Sequence, residues 1–254
     1  MLQIERLQAI TDILEERDTV TIPELEERLG ASKATVYRDV KALQQQGKLQ
    51  FVRGGISKAP YDRRIELPYH VKRASHVEEK KRIARAAAES IRPASTIFMD
   101  SSTTVREMVG LLDPGKNIKV VTNDLMIGTE LAAIPGIETH VIGGTIRKGY
   151  FTLVGLFALN NLADMQIDTA FFGTDALSLR GGCMLINTEE VALKKQVLAV
   201  SAEQRLLADH SKFGTSAFVS FCDAAELSQI ITGSELPDDV YEEYRAADID
   251  LLRV

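Results

Sequence analysis

Residues 96–112 read TIFMDSSTTVREMVGLL. A short apolar run ends at Asp100. Four hydroxyl residues follow, Ser101, Ser102, Thr103 and Thr104, and then a helical pattern starts. Strand, polar turn and helix in this order make the repeating unit of an α/β sheet. Serine and threonine are common helix N-caps. Several hydroxyls beside the free N–H groups of a helix start also suit a bound anion. The fragment alone leaves both readings open.

The same unit recurs along the chain. Apolar runs TIFMD, IKVVTN, ETHVIGG, DTAFFG, RLLADH, QIITG and IDLLRV alternate with helical stretches near 103–112, 124–133, 154–163, 188–203 and 238–246. A helix rich in strong formers, VEEKKRIARAAAESI, precedes the first run. This alternation predicts βαβ units and a mainly parallel sheet covered on both faces. Ligands of such sheets sit at the carboxyl ends of the strands. Small, hydroxyl and charged residues stand there: Asp100–Ser102, Thr122 and Asn123, Gly143 and Gly144, Gly173–Asp175, and Asp209–Lys212. They predict one pocket assembled from several loops. In NTEEVALKKQ, Glu189, Glu190 and Lys194 lie within about one helical turn, either as a surface ion pair or facing a cleft. Lys212, directly after a run, offers a second cation. Two lysines and a hydroxyl-rich helix start suit a phosphorylated ligand.

Upstream, a smaller module is legible. Ile4, Leu7, Ile10, Ile13 and Leu14 recur at helical spacing. Thr21 and Glu24 form a capping box for a second helix, with Pro23 in its first turn and Gly30 at its end. Ser32 caps a third, in which Val36, Val40 and Leu43 share one face. Ala34, Arg38 and Lys41 point the other way, with Thr35 and Tyr37 on the flanks. Helix, Gly turn and helix with a polar outer face is the helix-turn-helix arrangement. KLQFVRGGI then predicts two short strands around a Gly-Gly turn, with Arg53 near its tip; on pattern alone a small helical dimerisation unit remains the alternative.

Charge agrees with this division. The chain carries a formal net charge of −6. Over residues 1–32 three arginines face eight acids, whereas over 33–64 eight basic residues face Asp39 and Asp62 alone. A local basic block in an acidic protein suits a phosphate backbone and equally suits a solvated charged face. No run of 18 apolar residues predicts a membrane span, and the N-terminus lacks the pattern of a signal peptide. Two isolated cysteines, Cys183 and Cys222, suit a reducing cytoplasm and offer no metal-ligand spacing.

LEERLGASKATVYRDVKALQQQGKLQFVRGG resembles the winged helix-turn-helix of the DeoR family of bacterial transcriptional regulators. The matching positions are Ala31, Ser32, Thr35, Val36, Tyr37, Arg38, Asp39, Val40, Leu43, Gly47, Arg53, Gly54 and Gly55. Tyr37 stands where the family's pattern has the first of two arginines. IFMDSSTT, VVTNDLMI, VIGGTIRKG, TAFFGTDAL, EEVALKK and ADHSKFG follow in the order of that family's effector domain, whose fold is similar to ribose-5-phosphate isomerase and CoA-transferase-like folds. The family's Asp-Ser-Gly-Thr-Thr is Asp-Ser-Ser-Thr-Thr here, with Ser102 in place of glycine.

The resemblance implies an α/β protein: a winged helix-turn-helix over 1–57, a linker over 58–75 and an effector domain over 76–254. It implies DNA contacts from Ser32, Lys33, Ala34, Thr35, Tyr37, Arg38, Lys41, Arg53 and Gly54. It implies effector contacts from Asp100, Ser101, Thr103, Thr104, Thr122, Asn123, Gly143, Gly144, Lys194 and Lys212, to which the positions of Ser102, Arg147 and Glu189 beside these motifs add three further candidates. The expected partners are double-stranded operator DNA and a phosphorylated sugar or related metabolite, with no membrane, cofactor, metal or catalytic residue. A cytoplasmic homodimer or homotetramer repressing a sugar-use operon is the expected function. The alternatives are a sugar-phosphate isomerase fused to a DNA-binding module, since Asp100, Glu189 or Glu190, Lys194 and Lys212 could supply acid, base and anchor, and a ligand-free adaptor.

Overall fold

A computed structural model describes residues 2–17, 19–45, 48–52, 55–58 and 66–254. The chain forms two compact units, Met1–Ile65 and Glu66–Val254.

The first unit contains α1 (Gln3–Glu16), β1 (Thr19–Thr21), α2 (Ile22–Leu29), α3 (Lys33–Gln45), β2 (Leu49–Val52) and β3 (Gly55–Lys58). Its apolar stripes converge on one core: Ile10 and Leu14 from α1, Leu25 and Leu29 from α2, Val36, Val40 and Leu43 from α3. Ile4, the first member of the α1 pattern, is exposed. The capping box is present, with the Glu24 amide donating to Thr21 Oγ1 and the Thr21 amide to Glu24. Gly30 ends α2 in the left-handed region at φ 58°. The strands pair antiparallel in the order β1-β3-β2. Gly55 is required there, because a Cβ on it would lie 2.3 Å from the Val20 carbonyl oxygen. One buried carboxylate ties two helices: Asp39 of α3 accepts from Arg6 Nε at 2.6 Å and Gln3 Nε2 at 3.2 Å, both on α1.

The second unit begins with α4 (Tyr69–Ala74) and α5 (Val77–Glu89). It continues through β4 (Thr96–Met99), α6 (Thr103–Arg106), β5 (Lys119–Thr122), α7 (Leu125–Leu131), β6 (Glu138–Val141), β7 (Thr145–Ile146), β8 (Leu153–Val154) and α8 (Leu156–Leu162). Then follow β9 (Ile167–Phe172), β10 (Ala176–Ser178), β11 (Gly182–Leu185), α9 (Val191–Val200), β12 (Ser201–Leu207), β13 (Val219–Cys222), β14 (Gln229–Thr232), α10 (Asp238–Ala246) and β15 (Leu251–Arg253). All seven predicted apolar runs are strands of one sheet, ordered β15-β14-β12-β9-β4-β5-β6. Every pairing in it is parallel. Alternate residues serve opposite faces, as a period of two demands. Ile97, Met99, Phe171 and Leu207 join one apolar cluster, and Phe98, Phe172 and Leu206 join the other.

Three sequence expectations change. The helix expected near 103–112 is one turn of α-helix, Thr103–Arg106, followed by a 3-10 turn at Val109–Leu111. The helix expected over 188–203 stops at Val200, and Ser201 already belongs to β12. The expected linker over 58–75 is folded in its second half: α4 packs on α6 and buries Val71. That segment carries too few apolar residues to show a stripe, so its order comes from polar bonds described below.

Strand order places the site. The chain builds β4, β5 and β6 outward in one direction, then returns to the other flank of β4 with β9 and continues through β12. The reversal lies between β4 and β9, where adjoining loops diverge and open a crevice at the carboxyl ends.

Candidate functional site

The crevice is a cleft of about 680 Å³, its open mouth included, lined by the loops after β4, β9 and β12. Of the residues expected to contact an effector, Ser101, Ser102, Thr103, Thr104, Lys194 and Lys212 line it. Ser102 is also the cap of α6, its Oγ accepting from the amides of Thr104 at 3.2 Å and Val105 at 3.4 Å. The helix it caps is one turn long. The side chain that replaces the family's glycine thus occupies the helix start and also faces the cleft.

Ser101 is held from behind. Its amide donates to Asn123 Oδ1 at 3.0 Å, and its Oγ donates to Asp124 Oδ2 at 2.7 Å and lies 2.6 Å from Thr152 Oγ1. Asp124 in turn caps α7 through the amides of Met126 and Ile127. Burial pushes the Asp124 carboxyl up, against the pull of the Ser101 hydroxyl and these amides. Asn123 Nδ2 is buried without a partner among the described residues.

Asp100, almost fully buried, receives the Lys194 ammonium and the Gly173 amide, the latter at 3.0 Å. Lys194 Nζ also donates to the Gly173 carbonyl at 2.9 Å and lies over the rings of Phe172 and Phe221. This lysine joins α9 to the switch point, and Asp100 already neutralises it. Lys72 is likewise committed, pairing with Glu66 and Asp175 at 2.8 Å each. Burial opposes its charge, but those two carboxylates outweigh burial and raise its pKa.

Two other lysines carry the positive potential. Lys80, buried in the first turn of α5, donates to the Lys72 carbonyl and makes no ion pair among the described residues. Burial, with the nearby Lys212 charge, depresses its pKa to about 8. Lys212 stands 3.9 Å from Asp209. Burial raises the Asp209 carboxyl, but Lys212, His76 and the Ser211 hydroxyl overcome this and hold it to about 2. The cleft therefore presents two incompletely neutralised ammonium groups beside a row of hydroxyls.

Several expected effector residues lie elsewhere. Thr122 is fully buried and donates to the Met99 carbonyl at 2.6 Å. Gly143 and Gly144 follow β6, the sheet edge two strands from the switch point, and do not line the cleft. Gly144 packs its α-carbon against β8 instead. Asn123 supports Ser101 from outside the lining. Arg147 does not reach freely over a ligand, because three carboxylates hold it: Glu66, Glu189 at 2.8 Å and Glu190 at 3.0 Å. Its guanidinium lies 4.1 Å from the Tyr150 ring centroid. Glu189 faces outward at this clamp, whereas Glu190 lines the cleft. Burial pushes Glu190 up to about 7 despite Lys194 and Arg147.

Glu66, Tyr69, Lys72, Lys80, Tyr150, Thr152 and Asn187 are lining residues that sequence reasoning missed. Lys80 had a signal: it shares the buried face of α5 with Ile83, Ala84 and Ala87, an unusual place for an unpaired charge. Glu66, Tyr69 and Lys72 lie in the expected linker. They are sewn in by the Glu66–Arg147 and Lys72–Asp175 pairs, by Tyr150 donating to the Leu67 carbonyl at 2.8 Å, and by Arg106 donating to the Tyr69 hydroxyl at 2.6 Å.

On the first unit, Ser32 caps α3 through the Thr35 amide at 3.4 Å. Lys33, Ala34, Tyr37, Arg38 and Lys41 form an exposed face, with Thr35 half-buried. Tyr37 stacks on Phe51 of β2, centroids 5.9 Å apart and planes 18° from parallel. The residue replacing an arginine thus bridges helix and wing. Arg53 and Gly54 lie outside the described residues.

Comparison with known proteins matches both units. A family described as the DeoR C terminal sensor domain matches residues 75–234, and one described as the DeoR-like helix-turn-helix domain matches residues 6–59. The HTH-type transcriptional regulator IolR of Bacillus subtilis (strain 168) is 30% identical, covering 96% of each chain. The Glycerol-3-phosphate regulon repressor of Escherichia coli (strain K12) is 27% identical over 95% of each. Ribose 5-phosphate isomerase from Plasmodium falciparum is similar over 54% of this chain and 52% of that one, at 20% identity and a TM-score of 0.38. With an exposed recognition helix in one unit, a switch-point cleft in the other and both family matches in register, the chain belongs to the DeoR family of DNA-binding transcriptional regulators.

Proposed function

We propose that this regulator represses a sugar-use operon and that a phosphorylated sugar or related metabolite, held in the switch-point cleft, controls its grip on operator DNA. The observation that carries this reading is the pairing of Lys80 and Lys212 with the hydroxyls of Ser102, Thr103 and Thr104 around one cleft. Ammonium groups and hydroxyls together suit a phosphate dianion, and Glu66, Glu190 and Asn187 suit sugar hydroxyls. Glu66, Tyr69 and Lys72 stand on the segment through which the chain continues into the helix-turn-helix unit. A ligand that touches them has a direct means of biasing that segment, which is the differential affinity that regulation requires. The likeness to a Glycerol-3-phosphate regulon repressor supports a phosphorylated effector.

Operator reading is assigned to Ser32, Lys33, Ala34, Thr35, Tyr37, Arg38 and Lys41, with Arg53 and Gly54 at the wing. A cytoplasmic homodimer or homotetramer would set two such helices on half-sites about 34 Å apart or a multiple of it. No turnover is assigned. Asp100, Glu190 and Lys194 resemble an isomerase's set of acid and base groups, but each is bound to a protein partner. A coupled isomerase assay across pentose and hexose phosphates decides this point, and turnover abolished by Glu190→Gln would replace the sensor reading with an enzymatic one.

The test of the main reading uses fluorescence anisotropy on an operator fragment. Arg38→Ala should cost about 1–3 kcal/mol of DNA binding. Lys80→Gln and Lys212→Gln should leave unliganded DNA binding intact and abolish the response to sugar phosphates. Loss of DNA binding in both lysine variants at normal folding stability would refute separate roles.

A further inference from the structure

Next in the chain to Lys80 and Asp209 of the cleft, three side chains converge that the proposed function does not use. His76 precedes α5, Glu79 lies in its first turn, and His210 follows β12. One donor atom from each lies within 4.8 Å of the others. Glu79 Oε2 is the hub, 2.8 Å from His210 Nδ1 and 3.9 Å from His76 Nδ1. The two imidazoles meet edge to face with centroids 4.9 Å apart.

The carboxylate is built in. Glu79 is 3% exposed, and its Oε1 accepts the His210 amide at 2.7 Å, which aims Oε2 at both rings. Space for it comes from Gly233 at the end of β14, where a Cβ would lie 2.4 Å from Glu79 Cγ. His76 adopts φ 52°, in the left-handed region that non-glycine residues rarely occupy. That conformation brings its ring back over the first turn of its own helix. The imidazoles remain partly open to solvent, so the site has a closed carboxylate floor and an accessible rim.

We propose that His76, Glu79 and His210 bind one divalent transition-metal ion of the zinc class. Two imidazoles and a carboxylate are the donor set that borderline divalent ions prefer over calcium or magnesium. Zinc bonds to nitrogen and oxygen are about 2.0–2.2 Å, so two ligands of one ion stand at most about 4.2 Å apart. Both histidines already meet that limit against Glu79, and donor atoms of the two rings lie within 4.8 Å of each other. The ion takes the place of the proton now shared between His210 and Glu79. Three protein ligands leave a coordination position on the open side for water.

Full-length protein, stripped with chelator and titrated with Zn²⁺ by calorimetry, should take up one ion per chain. His76→Ala and His210→Ala should each weaken uptake at least tenfold. Co²⁺ in place of Zn²⁺ should give a visible ligand-field spectrum without a thiolate charge-transfer band, lost in His76→Ala. His76 is partly exposed, so that variant folds even if loss of His210 does not permit folding. Absence of saturable uptake, wild-type affinity in His76→Ala, or a thiolate band placing the ion at Cys183 and Cys222 overturns the proposal.

Discussion

At Ser102 the side chain fills the space in front of the Gly173 α-carbon: a Cβ built on Gly173 would lie 2.4 Å from Ser102 Oγ and 2.5 Å from its Cβ. Overpacking of this kind costs about 1–3 kcal/mol, so Gly173→Ala should lower urea stability by that amount. Ser102→Gly alone gives up a helix cap for glycine, a loss of about a few tenths of a kcal/mol. The double variant should recover most of the Gly173→Ala loss, and purely additive effects would show that the two positions do not meet. Lys80 makes the second prediction at this scale. Burial holds its pKa near 8, and a bound anion favours its charged form. Effector affinity should therefore be constant below about pH 8 and fall as pH rises through it. Calorimetric titrations between pH 6.5 and 9.5 should show this fall in the native chain and a flatter profile in Lys80→Gln.

At the scale of elements, the sheet was legible and its satellites were not. The inner strands β4, β5, β9 and β14 are largely buried apolar runs ending in small or polar residues, a pattern that survives without knowledge of contacts, whereas the edge strand β6 is mostly exposed and was placed by the alternation alone. The β10-β11-β13 sheet and the β7-β8 pair are built of strands only two to four residues long, and β13 joins β11 from more than thirty residues away. Strand order was also hidden, and with it the reason Gly143 and Gly144 fall away from the cleft while Gly173 and Asp209 enter it. The same holds for α4, six residues that no periodicity announces. Arg106 of α6 explains its position: the guanidinium pairs with Glu130 of α7 and donates to the Tyr69 hydroxyl of α4. Arg106 is 7% exposed, but Glu130 is 39% exposed, so water recovers part of the loss when the pair is broken. Arg106→Ala should destabilise the second unit by about 1–2 kcal/mol, below the 3–5 typical of a fully buried pair. Hydrogen exchange should quicken first at the amides of α4, and uniform quickening across the unit would argue against this local role.

Across the whole molecule, the boundary between the compact units falls at residues 65 and 66, whereas the sensor-family match begins at residue 75. The nine residues between these limits include Glu66, Tyr69 and Lys72 of the cleft wall. A fragment of residues 66–254 should bind the effector as the full chain does. One of residues 75–254 should fold around the same parallel sheet, yet bind at least tenfold more weakly, because Arg147, Arg106 and Asp175 lose partners. Equal affinity of the two fragments, measured by thermal shift against the same sugar phosphate, would remove this segment from the binding wall.

The stretch from Glu66 to Ala74 belongs to the receptor even though it reads as a tether. For anyone exchanging reading heads among such regulators, the seam is therefore at 65. A chimaera spliced there transplants a complete receptor, whereas one spliced at 75 inherits a cup whose rim was cut from a different protein.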